Sequence, residues 1–116
     1  MTRALLILLL VGFAAAAQTA EGNVENGRVL FVKIGCYQCH GYAGQGGIAG
    51  ARLAGISLQA KDVIRYVRRP PGEMPAYPVK SVSDQELTDI SAYIRSLPAP
   101  KPVKDIPLLD RIQQRK

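Results

Sequence analysis

The pentapeptide Cys36-Tyr37-Gln38-Cys39-His40 constrains the fold of this chain more than any other stretch. Two thiols separated by two residues can each add across one vinyl group of a haem, and a histidine directly after them can bind the iron from one side. The chain holds only these two cysteines and this one histidine, so no spare ligands blur the reading. A structural zinc ion would need four nitrogen or sulfur ligands, which the chain cannot complete. A thioredoxin-type redox pair belongs at the end of a strand in a βαβ pattern, and none is visible. A Cys36–Cys39 disulfide would close a very small loop and add little stability, because the entropic gain grows with loop size. A single haem c, covalently attached at Cys36 and Cys39, is therefore the expected centre of the fold.

Residues 1–17 read as a signal peptide. Met1-Thr2-Arg3 is a short basic start, Ala4 to Ala17 is apolar apart from Gly12, and Ala15-Ala16-Ala17 offers the small residues a signal peptidase needs. The 14-residue apolar run is too short to cross a hydrocarbon core of about 30 Å comfortably. Cleavage is expected after Ala17, with Ala20 as second choice; left uncleaved, the segment would anchor the chain to a membrane. Export fits the motif, because covalent attachment needs free thiols delivered with haem outside the cytoplasm. In a bacterium that compartment is the periplasm. Residues 18–97 are then expected to form one domain, and residues 98–116 a Pro-rich basic tail. A domain of this size buries a modest core, so a large apolar cofactor would supply much of what the side chains cannot.

Lys and Arg number 15 against 9 Asp and Glu, a net charge of +6, and setting Arg3 aside leaves 14 against 9, or +5. Nucleic acid is not an expected partner, since the charge is not interleaved with aromatics in a binding motif and the chain is exported. The expected partner is a redox protein with an acidic docking face. Membrane association is expected only through such a partner or an uncleaved signal.

Helical spacing of Val24, Gly27, Leu30, Phe31 and Ile34 predicts an amphipathic helix over 23–34 leading into the pentapeptide. Gly27 would admit a second helix closely there, and Gly35 would end the first in a left-handed conformation. Residues 41–50 are too rich in glycine for regular structure and are expected to lie against the histidine side of a flat ligand. A second helix is predicted to start at Ser57 as N-cap and to run through Val63, Ile64 and Val67 until Pro70 and Pro71 stop it. Its outer face would carry Lys61, Arg65, Arg68 and Arg69.

Gly72 to Pro78 reads as a rigid non-helical segment around Met74, the one methionine beyond the signal. A thioether is a soft ligand suited to haem iron opposite an imidazole. The flanking prolines and the lack of a second histidine make Met74 the candidate ligand. Ser83 to Leu97 is the clearest predicted helix: Ser83 and Glu86 make a capping box, and Leu87, Ile90, Ile94 and Leu97 line one face with Tyr93 at its border. That face is expected to cross the first helix at Gly27 and Phe31. Pro98 to Pro102 reads as a stiff spacer. The last residues, with Ile106, Leu108, Leu109 and Ile112 as a small apolar stripe, are expected to pack over the domain, or to dock a partner subunit.

From about Asn23 to Leu97 these features resemble a class I c-type cytochrome: the Gly27-x-x-x-Phe31 helix, the attachment motif, Met74-Pro75, 34 residues beyond His40, and a last helix with an aromatic at Tyr93. The resemblance implies an all-α cytochrome c fold with three main helices around one covalently attached haem, its iron bound by His40 and Met74. It also implies a protein that passes single electrons between redox partners rather than an enzyme. Family members usually read Gly-Pro-x-Leu where this chain has Gly50-Ala51-Arg52-Leu53. Ala51 can still offer the carbonyl that orients the histidine. By position, Arg52 would partner a haem propionate, and Tyr77 would hydrogen-bond near Met74 or a propionate. Basic residues Lys33, Lys61, Arg65 and Lys80 would steer an acidic partner. Two further functions stay open: the haem subunit of a periplasmic dehydrogenase complex, and a haem sensor or enzyme with Met74 off the iron.

Overall fold

The computed structural model describes residues 21–115, and the expected signal peptide lies outside them. The regular elements among the described residues are all helical: α1 (Val24–Lys33), α2 (Tyr37–His40), α3 (Ala60–Arg68), α4 (Asp84–Ser96) and α5 (Pro107–Gln113), with a 3-10 turn at Val103–Asp105. The fold is the expected all-α one, with α1, α3 and α4 as its three main helices.

Both ends predicted for α1 are found. The Asn23 side chain caps it by accepting from the Asn26 amide at 2.8 Å, and Gly35 follows the C-terminal turn at φ 91°. Gly27, Leu30 and Phe31 face inward, while Val24 is exposed and lies off that face. The capping box of α4 is complete. Ser83 Oγ accepts from the Glu86 amide at 3.2 Å and the Glu86 carboxylate accepts from the Ser83 amide at 2.7 Å. These bonds hold the Glu86 carboxyl below the usual range.

The two helices cross where the spacing places them. A Cβ on Gly27 would collide with the Asp89 carbonyl and come within 2.9 Å of the Tyr93 Cβ, so only glycine permits this approach. One turn on, Phe31 is fully buried and meets the Tyr93 ring edge-on at 5.3 Å between centroids. Such contact adds about 0.5–1.5 kcal/mol to the area buried. Helical periodicity carries no sign of what secures the crossing from outside. Asp89 is buried and accepts from the Asn23 amide at 2.8 Å, Asn26 Nδ2 at 2.7 Å and Gln85 Nε2 at 3.3 Å. Burial alone would raise its pKa, but those hydrogen bonds favour the charged form and together hold the carboxyl below its ordinary value.

Two expectations for α3 are corrected. The helix begins at Ala60 with Gln59 as N-cap, not at Ser57. The preceding chain stays extended because it is tied to the end of α4: the Gly55 amide donates to the Leu97 carbonyl at 3.3 Å and Arg95 to the Leu58 carbonyl at 3.4 Å. A local cap signal loses to these longer-range bonds. Arg68, placed by the spacing on the solvent face, has a side chain only 17% exposed. It turns inward to donate to the carbonyls of Tyr77 and Val82, each at 2.8 Å, and to the Asp84 carboxylate at 2.5 Å. Arg65 does stay exposed, paired with Asp62 at 2.9 Å one turn away.

Beyond α4, Ala99 rests against Gly55. Further on, α5 packs on the 3-10 turn before it. Leu108, Leu109 and Ile112 remain exposed, so the tail's apolar stripe is not covered in the way expected of a tail packed over the domain.

Candidate functional site

The inner faces of the main helices do not fill the space they enclose. Phe31 and Ile34 of α1, Val63 and Val67 of α3, and Leu87, Ile90 and Ile94 of α4 wall a cleft of about 640 Å³, within the size range of cofactor sites. Much of the hydrophobic core is therefore also the lining of the cleft. All six residues singled out from the sequence lie along it: Cys36, Cys39, His40, Arg52, Met74 and Tyr77.

The near side is built by α2 and the glycine-rich loop. The pentapeptide forms one helical turn, closed by the His40 amide donating to the Cys36 carbonyl at 3.1 Å. The two cysteines form no disulfide, and Cys36 is half-buried while Cys39 is exposed. Burial pushes the Cys36 thiol up to about 11, keeping it neutral among apolar neighbours. The loop is ordered by its own backbone: Gly46 donates to the His40 carbonyl at 2.8 Å, and Leu53 and Ala54 both donate to the Gly44 carbonyl, at 2.8 and 2.9 Å. Gly50 lies so close to the turn that a Cβ there would stand 2.7 Å from the Cys39 carbonyl oxygen.

This packing brings the Ala51 carbonyl to 2.7 Å from His40 Nδ1. A carbonyl only accepts, so Nδ1 carries a proton, and in the neutral ring this tautomer puts the lone pair on Nε2. The departure from Gly-Pro-x-Leu therefore keeps the orienting bond. Tyr37 of the motif stacks on Tyr42 at 4.3 Å between centroids, and the Tyr93 hydroxyl donates to the Tyr42 carbonyl at 3.0 Å. By this route α4 braces the turn that holds the thiols, a link the sequence does not display.

The far side is irregular. Met74 is half-buried in a segment without secondary structure between α3 and α4. Tyr77 is also half-buried, its phenol pKa raised by burial first and by the cysteine pair second. Arg52 lines the cleft but is exposed, and Glu73 is the other charged residue of the lining. None of Lys33, Lys61, Arg65 and Lys80 lines it. Among the described residues, no three His, Cys, Asp or Glu side chains gather into a metal cage. The site thus offers an apolar cleft lined by an imidazole, two thiols and a thioether. That donor set fits a haem, which Cys36, Cys39, His40 and Met74 would hold.

The family described as cytochrome c oxidase, cbb3-type, subunit III matches residues 22–94, the span that contains α1 to nearly the end of α4. The chain belongs to the class I c-type cytochromes. This cytochrome is 33% identical over 96 residues to the 4-cresol dehydrogenase [hydroxylating] cytochrome c subunit of Pseudomonas putida, covering 81% of each chain. It is also 33% identical over 104 residues to thiosulfate dehydrogenase of Psychrobacter arcticus, covering 77% of the cytochrome but only 30% of that protein's length. No solved structure matches it. As a cytochrome c domain it is an electron-transfer protein that uses haem c. No helix among the described residues is long and apolar enough to cross a membrane.

Proposed function

We propose that this cytochrome carries single electrons on one haem, held covalently by Cys36 and Cys39 and ligated by His40 and Met74, between redox proteins outside the cytoplasm. The haem, when bound, supplies the one-electron couple. The chain's residues hold its ligands still and keep water from it. His40 is fixed in one tautomer by Ala51, and the apolar walls exclude solvent, both of which keep reorganisation small between oxidation states. His40 and Met74 would together fill the iron's ligand positions and leave none for a substrate, so the haem they hold would supply electron transfer rather than substrate chemistry. Arg52 is the candidate partner for a propionate, and Tyr77 for a propionate or the Met74 neighbourhood. Lys33, Lys61 and Lys80, all exposed, would steer an acidic partner, while Arg65 already answers Asp62.

The observation that carries this reading is the His40–Ala51 bond on the wall of an apolar cleft lined by both thiols and Met74. Its test is secretion of the full chain in a haem-maturing bacterium. The expected product lacks residues 1–17, carries one haem through denaturing electrophoresis, cycles reversibly by one electron and, when ferrous, binds carbon monoxide slowly or not at all. Secreted material of bare peptide mass would sink the attachment, and rapid carbon monoxide binding would turn the reading to a sensor or enzyme.

A second reading makes it the haem subunit of a dehydrogenase complex. Similarity over four-fifths of both chains to a dehydrogenase's cytochrome subunit favours it, together with the uncovered stripe on α5. Deleting residues 98–116 would then abolish co-purification with a neighbouring dehydrogenase, and unchanged co-purification would count against the tail.

A further inference from the structure

Residues 69–83 leave the last turn of α3 and return to the first turn of α4 with Met74 on the way. A thioether is a weak ligand, so whether it stays on iron depends on how firmly its segment is held. Pro70, Pro71, Pro75 and Pro78 narrow the backbone's choices but donate no hydrogen bonds. The segment is tied instead at Tyr77, three residues past Met74. The Tyr77 amide donates to the Val67 carbonyl at 3.1 Å, and its carbonyl accepts from Arg68 Nη1 at 2.8 Å. Consecutive residues of α3 thus grip both backbone groups of Tyr77.

The other amino group of Arg68 reaches further, to the Val82 carbonyl at 2.8 Å and Asp84 Oδ1 at 2.5 Å. One guanidinium therefore joins the end of α3, the returning limb of the Met74 segment and the first turn of α4. The Asp84 side chain is 63% exposed, so its ion pair is weakened by solvent. The two carbonyl bonds, made by a charged donor that is mostly buried, carry the linkage. A lysine has no planar fork to span these acceptors. Arg68 does not line the cleft, so its influence passes through the Tyr77 backbone.

We propose that Arg68 is the positioning residue for Met74, holding the thioether on the iron and so keeping the sixth coordination site closed to small ligands. The inference rests on the reading that Met74 is a ligand, and the experiment separates the two. Carbon monoxide binding to the ferrous holoprotein and the sulfur-to-iron charge-transfer absorption of the ferric form would be measured in wild type, Arg68→Ala, Arg68→Lys, Asp84→Ala and Arg65→Ala. Arg68→Ala is expected to bind carbon monoxide about tenfold to hundredfold faster, with a weakened charge-transfer band and a lowered reduction potential. Asp84→Ala should change the rate by less than about fivefold. Arg65→Ala, an exposed position on the same helix, should match wild type. Wild-type carbon monoxide kinetics and an intact band in folded Arg68→Ala would overturn the proposal and leave Met74 ligation standing. A wild-type protein lacking the band would instead sink the ligand reading, and this inference with it. Should Arg68→Ala yield no holoprotein, Arg68→Lys decides on the same two measurements, and wild-type values there overturn the proposal.

Discussion

His40 sits in a helical turn whose neighbours bond to one another within about a dozen residues, whereas Met74 sits in an irregular segment secured from another helix. On the near side, the Cys36, His40, Gly46 and Ala51 backbone groups and the imidazole form a short-range mesh. On the far side, Tyr77 is gripped by Val67 and Arg68, and Arg68 is in turn braced on Val82 and Asp84. The His40 side is held by redundant local bonds, and the Met74 segment by a chain of contacts with a guanidinium at its centre. Damage to one bond should therefore be tolerated near His40 and felt at once near Met74.

The largest expected effect comes from removing the near-side anchor altogether. Cys36→Ser combined with Cys39→Ser should abolish covalent haem completely, read as loss of haem stain on a denaturing gel and of the haem mass increment. On the far side, Met74→Ala should leave the haem attached yet open the iron. Ferrous protein that hardly bound carbon monoxide would then bind it tenfold faster or more, on the order expected when a closed state no longer dominates. Equal rates in the two proteins would erase the distinction between the sides.

Smaller effects sharpen it. Gly50→Ala sets a methyl 2.7 Å from the Cys39 carbonyl and should cost about 1–3 kcal/mol by denaturant unfolding of the holoprotein. Its charge-transfer band should survive, because the far side is untouched. Asp89→Asn tests the helix crossing, which serves both sides, and should cost about 1–3 kcal/mol at neutral pH by leaving amide donors facing donors. The Asp89 carboxyl is held below its ordinary 3.8 in the folded protein. Its contribution is therefore fully present above that value and is lost as pH falls through the lower, folded value. The stability gap between wild type and Asp89→Asn should accordingly narrow below pH 3.8 in thermal unfolding; a gap independent of pH would refute the assignment. The smallest change expected is from Ala51→Pro, which keeps the carbonyl that His40 uses and should stabilise by about 0.4–1 kcal/mol through a stiffer unfolded chain.

Features made by neighbours in sequence are legible in the residue order itself. The attachment turn, the Ser83–Glu86 capping box, the crossing at Gly27 and Phe31, and Met74 between prolines each depend on spacing alone. Ser57 shows where that logic fails, because a good N-cap residue is overruled when α4 draws the preceding backbone into an extended path. Arg68 shows it again. On a helical wheel it belongs with Arg65 and Arg69, and nothing in the spacing tells a buried clamp from a solvated charge. The Tyr37–Tyr42–Tyr93 brace and the triple acceptance at Asp89 are invisible for the same reason.

The amino-acid order by itself determined which groups this protein can bring to a haem and which helices enclose them, since ligand spacing and apolar periodicity act over a few residues. Only the tertiary structure decided how the segments carrying His40 and Met74 are held. Hydrogen bonds between residues far apart in the chain depend on which backbone carbonyls the packed helices leave unpaired, and that is settled only when the helices meet.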